Sequence, residues 1–219
     1  MTSPFADALR DHHRDERSHP LIQRDGAEHR EHPIEEFYFG SASLEQDRTA
    51  FLAEHLDNQG PLIDLGAGAG RDALFFQERV ETVAVEVDEP LVEVMRDRGV
   101  EQAIQADMFD LTATFEPDRF AGVLAFGTQL GLAKSMAGLR AFFADLAEVT
   151  TDDARAVVDG YDPTHPDAAD MLGYRDDETE GLAFRVMHVE YADEVGETLL
   201  FRLFSPDRLA EAASVAGWE

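Results

Sequence analysis

Cysteine is absent from this chain, and lysine occurs once, at Lys134. The first absence excludes a disulfide scaffold, a thiol nucleophile and thiolate metal sites together. The second belongs to a wider scarcity of positive charge: 18 basic residues stand against 46 acids, a formal net charge of −28. Affinity for a nucleic-acid backbone is carried by arginine and lysine at the phosphates, so DNA and RNA are not expected partners. Long apolar runs are missing as well. No segment reads as a membrane span, and MTSPFADALRDHHRDERSHP at the amino terminus lacks the apolar centre of a secretory signal. The expected location is the cytoplasm.

What the chain has in excess is carboxylate. Such a charge repels itself in dilute buffer and is tolerated where salt screens it, the Debye length falling to about 3 Å at molar salt. Arginine in place of lysine and an acid-loaded surface match proteins of salt-accumulating halophiles, a statement about solvent and not about activity. With 219 residues, 44% of them hydrophobic, there is material for one well-buried domain.

Residues 1–42 are polar and rich in His, Arg and Glu, with one amphipathic stretch from Pro4 to Arg17; they read as an arm or lid. His12, His13, His19, His29 and His32 lack a metal-binding helix spacing and read as part of a solvated tail. Residues 43–219 read as one domain. Ser43 precedes a stretch in which Leu44, Phe51, Leu52 and Leu56 are spaced for one helix face, and Gly60-Pro61 ends it. Strand character follows in Leu62–Leu65, Thr82–Val87, Gln102–Ala106, Phe120–Phe126 and Ala154–Asp159, with helical spacing in Asp72–Arg79, Pro90–Asp97 and Met136–Val149. This alternation predicts an α/β fold with a doubly wound, mostly parallel sheet. Residues 161–204 interrupt the pattern and are expected to form an acceptor-side lid: Tyr161–Thr179 reads as a loop, and Ala183–Tyr191 with Thr198–Phe204 as an antiparallel hairpin. Ser205 then caps a helix that starts at Pro206.

The first strand runs into Gly66-Ala67-Gly68-Ala69-Gly70, at the place where such sheets bind ligands. A P-loop requires Gly, four residues, Gly, Lys and Ser or Thr, and the spacing around Lys134 does not fit. The dinucleotide fingerprint requires a small residue where Arg71 stands. What the sequence offers is an acid, Asp64, followed by glycines at every second position, then Glu86 at the end of the second strand and Asp107 at the end of the third. A ligand with a sulfonium, an ammonium and a ribose diol but no phosphate calls for carboxylates and backbone carbonyls at those points.

Asp64-x-Gly66-x-Gly68-x-Gly70 resembles the first motif of class I S-adenosylmethionine-dependent methyltransferases, and the resemblance extends over Ile34 to about Asp162. It implies S-adenosyl-L-methionine as cofactor, with Asp64 and the Gly66 backbone near the methionine ammonium, Gly68 and Gly70 beneath the ligand, and Ala67 in the same cofactor-binding loop. It further implies Glu86 at the ribose with Val87 beside it in the cofactor-binding set, Asp107 and Met108 at adenine, Phe126 and Gly127 toward the sulfonium, and Tyr38 closing over the pocket. Two departures stand out. Many relatives begin the fourth strand with an acid where this chain has Ala121-Gly122, and the family sheet carries two further strands after a helix like Pro206–Ala216. Ala216-Gly217-Trp218-Glu219 reads as a helix stop leading into a strand that is cut off, so a fragment of a longer protein is expected; the alternative is that the hairpin covers the fifth strand.

The expected activity is methyl transfer to a small-molecule acceptor, with oligomeric state undetermined. Thr128, Gln129, Tyr161, Asp162, His165, His188 and Tyr191 are acceptor-side candidates, and none is fixed by a motif; Tyr161, His165 and Gln129 are the catalytic candidates retained. His188 reads first as a polar residue on a half-exposed hairpin face. Two other readings stay open: a sensor that binds S-adenosylmethionine or S-adenosylhomocysteine without turnover, and an NAD-dependent oxidoreductase, against which Arg71 counts.

Overall fold

The computed structural model describes residues 3–57, 60–127 and 129–219. Helix α1 (Pro4–His13) is capped by Ser3, whose hydroxyl accepts from the Ala6 amide at 3.1 Å. A ribbon of β1 (Ile22–Asp25) and β2 (Glu28–Glu31) follows, then a π-helical turn over Glu35–Phe39 and α2 (Asp47–Leu56). From there the chain alternates through β3 (Leu62–Leu65), α3 (Arg71–Phe76), β4 (Thr82–Glu86), α4 (Glu89–Asp97) and β5 (Ala103–Gln105). It continues with β6 (Phe120–Ala125), α5 (Met136–Val149) and β7 (Thr150–Val158). The last stretch holds β8 (Tyr174–Asp176), β9 (Leu182–Tyr191), β10 (Glu194–Val195), β11 (Leu199–Phe204) and α6 (Pro206–Val215).

Strands β3 to β7 form a parallel sheet in the order β5-β4-β3-β6-β7. Strands β3 and β4 are buried along their whole length, as a sheet covered by helices on both faces requires. Alternation sorts their side chains. Ile63, Leu65, Val83, Val85 and Val123 pack with Phe142 and Leu146 of α5 and Ala212 of α6. Leu62 and Leu124 pack on the opposite face with Leu52 and Leu56 of α2 and Phe75 of α3. The chain runs outward through β4 and β5 and then returns across β3 to β6, so the strand order reverses at the carboxyl end of β3. Open α/β sheets bind ligands at that reversal.

The second sheet is antiparallel and draws on both ends of the described chain. β9 pairs with β11, β8, β10 and β1, and β1 in turn with β2. The predicted hairpin is therefore present, with Leu199 opposite Met187 and Phe204 opposite Leu182, as part of a six-stranded sheet. It does not cover the fifth parallel strand: among the described residues β7 pairs with β6 alone.

Three local expectations are corrected. The amino-terminal segment is packed: Ala6, Ala8 and Leu9 of α1 are fully buried with Leu91 and Val94 of α4, Ala69 of the glycine loop, and Val189 and Tyr191 of β9. Its amphipathic face and the β1–β9 pairing give it apolar and backbone partners that composition does not reveal. Helix α2 starts at Asp47, and its buried face is Thr49, Leu52, Ala53 and Leu56, whereas Leu44 and Phe51 are 53% and 51% exposed. The segment expected as an uninterrupted loop contains a 3-10 turn at Ala168–Asp170 and strand β8. Among the described residues no helix is long and apolar enough to cross a membrane.

Candidate functional site

The glycine loop leaves β3 with Gly66, Gly68 and Gly70 all at positive φ (69°, 58° and 77°), a region closed to most side chains. The Gly66 and Ala67 amides both donate to the Val85 carbonyl, at 2.9 and 3.0 Å, which pins the loop to the end of β4. A Cβ on Gly66 would stand 2.7 Å from Gln129 Cδ, and one on Gly68 would stand 3.1 Å from Tyr38 Cδ1. These two glycines thus make room for side chains that lie over the loop. At Gly70 a Cβ would meet Val100 Cγ2 at 2.7 Å and Met95 Cγ at 3.0 Å, so this glycine lets the loop pack closely against α4 and the turn after it.

Two of the three expected acids are buried side by side. Glu86, at the end of β4, accepts from the Gly68 amide at 3.0 Å through Oε2, and from the Val87 and Asp88 amides at 2.8 and 3.3 Å through Oε1. Burial holds its carboxyl above the usual range against the opposite pull of those three amides. Asp64 in β3 is buried too, and its pKa is raised, first by desolvation and then by the neighbouring charge of Asp72, with Glu86 adding to it. Arg48 and Arg71 act in the opposite direction. Arg48 grips Asp72 bidentately at 2.8 and 2.6 Å and lies 4.1 Å over the Phe126 ring. Asp107, the third acid, is exposed and accepts from the Phe109 amide at 2.9 Å. Met108 places its side chain in the main core, whereas Val87 is 58% exposed beside Glu86.

The amino-terminal turn forms a roof over this floor. Arg98 donates to the carbonyls of Ala69 and, at 3.0 Å, Tyr38, while Arg71 donates to the Glu36 carbonyl at 3.1 Å. Tyr38 is half-buried over Gly68, and desolvation of its hydroxyl, with the charges of Glu86 and Tyr161, raises its pKa. Its hydroxyl meets His32 Nε2 at 2.9 Å; His32 Nδ1 meets Gln23 Nε2 at 3.0 Å; Gln23 Oε1 accepts from Arg185 Nη2 at 2.9 Å. A guanidinium has donors only, and this fixes every link. Gln23 must turn its carbonyl to Arg185 and its amide nitrogen to His32, so Nδ1 accepts, Nε2–H donates to the Tyr38 oxygen, and the Tyr38 proton is left to point elsewhere. Burial and the Arg185 charge pull His32 down to about 4, in keeping with the neutral ring this chain needs.

Of the acceptor-side candidates, Gln129 lies over Gly66, and Tyr161 stacks near Arg185, whose guanidinium carbon is 5.7 Å from the ring centroid. The others are engaged elsewhere. His165 is exposed and accepts from the Asp167 amide at 3.2 Å; Asp162 accepts from the Thr164 amide at 2.8 Å; the Tyr191 hydroxyl donates to Asp11 at 3.0 Å. His188 bonds Glu190 at 3.1 Å on the face of β9 opposite Arg185. Thr128 lies outside the described residues. Gln23, His32 and Arg185 were not read from sequence as site residues. The readable signal was in β9, where Arg185 occupies a buried-face position between Ala183 and Met187 in a strand of strict alternation.

No protein-family model and no curated protein matches the chain. Solved structures do. A methyltransferase from Bacteroides fragilis, crystallised with S-adenosyl-L-homocysteine, aligns with a TM-score of 0.76 over 99% of this chain and 86% of its own, at 24% identity. A sugar N-methyltransferase from Streptoalloteichus aligns at 0.58 over 80% and 78%, with 18% identity. An amino pentose methyltransferase from Micromonospora echinaspora, bound to S-adenosylmethionine, aligns at 0.55 over 78% and 80%, with 17% identity. The likeness to the Bacteroides protein takes in nearly the whole chain, and the fold of this chain is the Rossmann-like fold of class I methyltransferases.

Proposed function

We propose that this chain is a cytoplasmic, salt-adapted methyltransferase that binds S-adenosylmethionine over Gly66–Gly70 and methylates a small-molecule acceptor. One observation carries the reading. Of the five amides from Gly66 to Gly70, four are consumed internally: Gly66 and Ala67 by the Val85 carbonyl, Gly68 by Glu86, and Gly70 by the Ala67 carbonyl. A loop so occupied has little to offer a phosphate, which needs free N–H groups, while the buried carboxylates beside it suit a cationic nucleoside. That argues for S-adenosylmethionine and against a pyrophosphate-bearing dinucleotide.

The residues present fit such a ligand. Glu86 already accepts three amides and keeps one lone-pair site, on Oε2, for a ribose hydroxyl, and Asp64, held among Arg48, Arg71 and Asp72, stands two residues before the loop's first glycine. Val87 offers an exposed apolar face, and Asp107 with the Met108 backbone stands at the next strand end for the adenine. When bound, S-adenosylmethionine supplies an electrophilic methyl group: an acceptor lone pair forms the new bond as the carbon–sulfur bond breaks, the electron pair staying on sulfur. Tyr38 and Gln129 lie over the loop, where they would exclude water and hold the acceptor in line, the main contribution a protein makes to such a displacement. The neighbours above are methyltransferases, two of them acting on amino or other sugars by name, which supports a small acceptor.

Incubation with S-adenosylmethionine and a panel of small amines, phenols and carboxylates in molar KCl, followed by quantification of released S-adenosylhomocysteine, tests the proposal. Release that depends on one acceptor is the expected result. Saturable binding with no release over any acceptor would favour a sensor.

A further inference from the structure

The π-helical turn over Glu35–Phe39 is the part of the roof that rests on the glycine loop, and core packing does little to keep it there. It holds no fully buried side chain, whereas α1 beside it buries Ala6, Ala8 and Leu9. The Gly40 amide closes the turn on the Glu35 carbonyl at 2.7 Å, and a helix this short leaves its later carbonyls without helical donors. Two of them are taken by arginines that belong to the cofactor side. Arg71, the first residue of α3, donates to the Glu36 carbonyl at 3.1 Å through Nη1. Arg98, at the end of α4, donates through Nη1 to the Tyr38 carbonyl at 3.0 Å and also to the Ala69 carbonyl. One nitrogen thus joins roof and loop directly. In a chain with 46 acids, each hydrogen bond of Arg98 among the described residues goes to a backbone carbonyl, and its guanidinium carbon lies 4.8 Å over the Phe39 ring.

The base from which Arg98 reaches is rigid. Gly70 lets the loop pack on Met95 of α4 and on Val100, so the turn that carries Arg98 is seated against the loop itself. What the arginine holds down is Tyr38, whose ring lies directly on Gly68. A ligand that runs over Gly66–Gly70 enters when this turn lifts, and lifting parts the Tyr38 carbonyl from Arg98 and the Glu36 carbonyl from Arg71. We infer that Arg98, seconded by Arg71, is a clasp that seats the roof on the cofactor loop, and that nucleoside cofactor and product exchange through its opening. The inference rests on the methyltransferase reading and adds to it two positioning residues and a gate. Neither arginine meets the reacting atoms in this scheme; both act through Tyr38, which they seat over the ligand, and through the exclusion of water. A segment with few buried apolar contacts opens locally without unfolding the domain, which is the property a gate requires.

The test is kinetic. Surface plasmon resonance in molar KCl gives the association and dissociation rates of S-adenosylhomocysteine on the unaltered protein, Arg98→Met and Arg98→Lys. Hydrogen exchange read by mass spectrometry follows residues 33–41 in the same three proteins. In Arg98→Met both rates should rise, each by about tenfold, the equivalent of one charge-assisted hydrogen bond. Its roof amides should exchange faster without ligand while those of α5 keep their rates. Arg98→Lys, which retains a cation able to reach a carbonyl, should fall between. A residue that simply gripped the ligand would raise dissociation alone, and one that simply supported the fold would speed exchange in α5 as well; either result overturns the clasp. So does roof exchange in the unaltered protein that is the same with and without saturating S-adenosylhomocysteine, because a ligand enclosed beneath the turn must suppress its opening. That comparison decides the matter even if Arg98→Met fails to fold. Failure to bind S-adenosylhomocysteine at all would instead defeat the reading on which the inference rests.

Discussion

Replacing Glu86 by glutamine separates binding from folding at the crevice floor. The carboxylate uses Oε2 on Gly68 and Oε1 on Val87 and Asp88, so a carboxamide in either orientation turns an N–H toward at least one backbone N–H. An orphaned buried donor costs about 1–3 kcal/mol. Burial, however, already disfavours the ionised carboxyl, and removing the charge returns part of that cost. The two effects oppose, and the net loss of stability is expected to be about 1 kcal/mol or less. Binding has no such offset. With three of about four lone-pair sites filled, one ribose hydroxyl can donate to the carboxylate, worth about 1.5–3 kcal/mol against about 0.5–1.5 for a neutral amide, a loss of roughly 1–1.5 kcal/mol. Affinity for S-adenosylhomocysteine should therefore fall roughly 5- to 13-fold. Urea denaturation gives the first quantity and calorimetric titration in molar KCl the second. A folded Glu86→Gln protein that binds within about threefold of the original would refute the placement of the ribose on Glu86.

Other expectations follow from the same geometry. Gly68→Ala should lose about 1–2 kcal/mol of stability from its left-handed backbone and also weaken nucleoside binding, because its Cβ would stand 3.1 Å from Tyr38. Gly26 has the same φ of 58° with nothing within 4 Å of a Cβ, so Gly26→Ala should carry the strain alone, and equal binding loss in both variants would contradict the argument. The His32 ring should titrate near pH 4 by NMR rather than near 6.5. Because the unfolded chain then takes up this proton first, stability should fall relative to a His32→Leu variant as pH drops from 6.5 toward 4, and a pH-independent difference would count against the buried neutral ring. Urea stability should rise steadily with KCl as the Debye length shrinks from about 10 Å at 0.1 M to about 3 Å at 1 M, and a flat response would sink the salt argument.

The centre of the parallel sheet was legible because β3, β4 and β6 are short, largely apolar runs bounded by turn residues. Leu62–Leu65 and Met136–Val149 have the same bounds in sequence and structure. Asp64 and Glu86 stood out as well, each a carboxylate in an otherwise apolar strand, and both are buried. The second sheet was only half legible. The strong period of Leu182–Tyr191 announced β9, but its partner β1, Ile22–Asp25, is a four-residue strand with no fully buried side chain, and its position is set by pairing across more than 150 residues of sequence. Helix α2 misled for a related reason: the apolar spacing of Leu44 and Phe51 is real, yet tertiary packing chose Thr49 and Ala53 instead. The roof was the least legible part. Gln23 and His32 look like solvated polar residues until Arg185, on a distant strand, gives them a hydrogen-bond direction.

The account stands on a nucleoside without phosphate occupying the glycine loop. The most direct measurement is a calorimetric comparison of S-adenosylmethionine, S-adenosylhomocysteine and NAD titrated onto the protein in molar KCl. One-to-one binding of the first two with no saturation by NAD is the predicted result; saturation by NAD without binding of the sulfonium compound would contradict it.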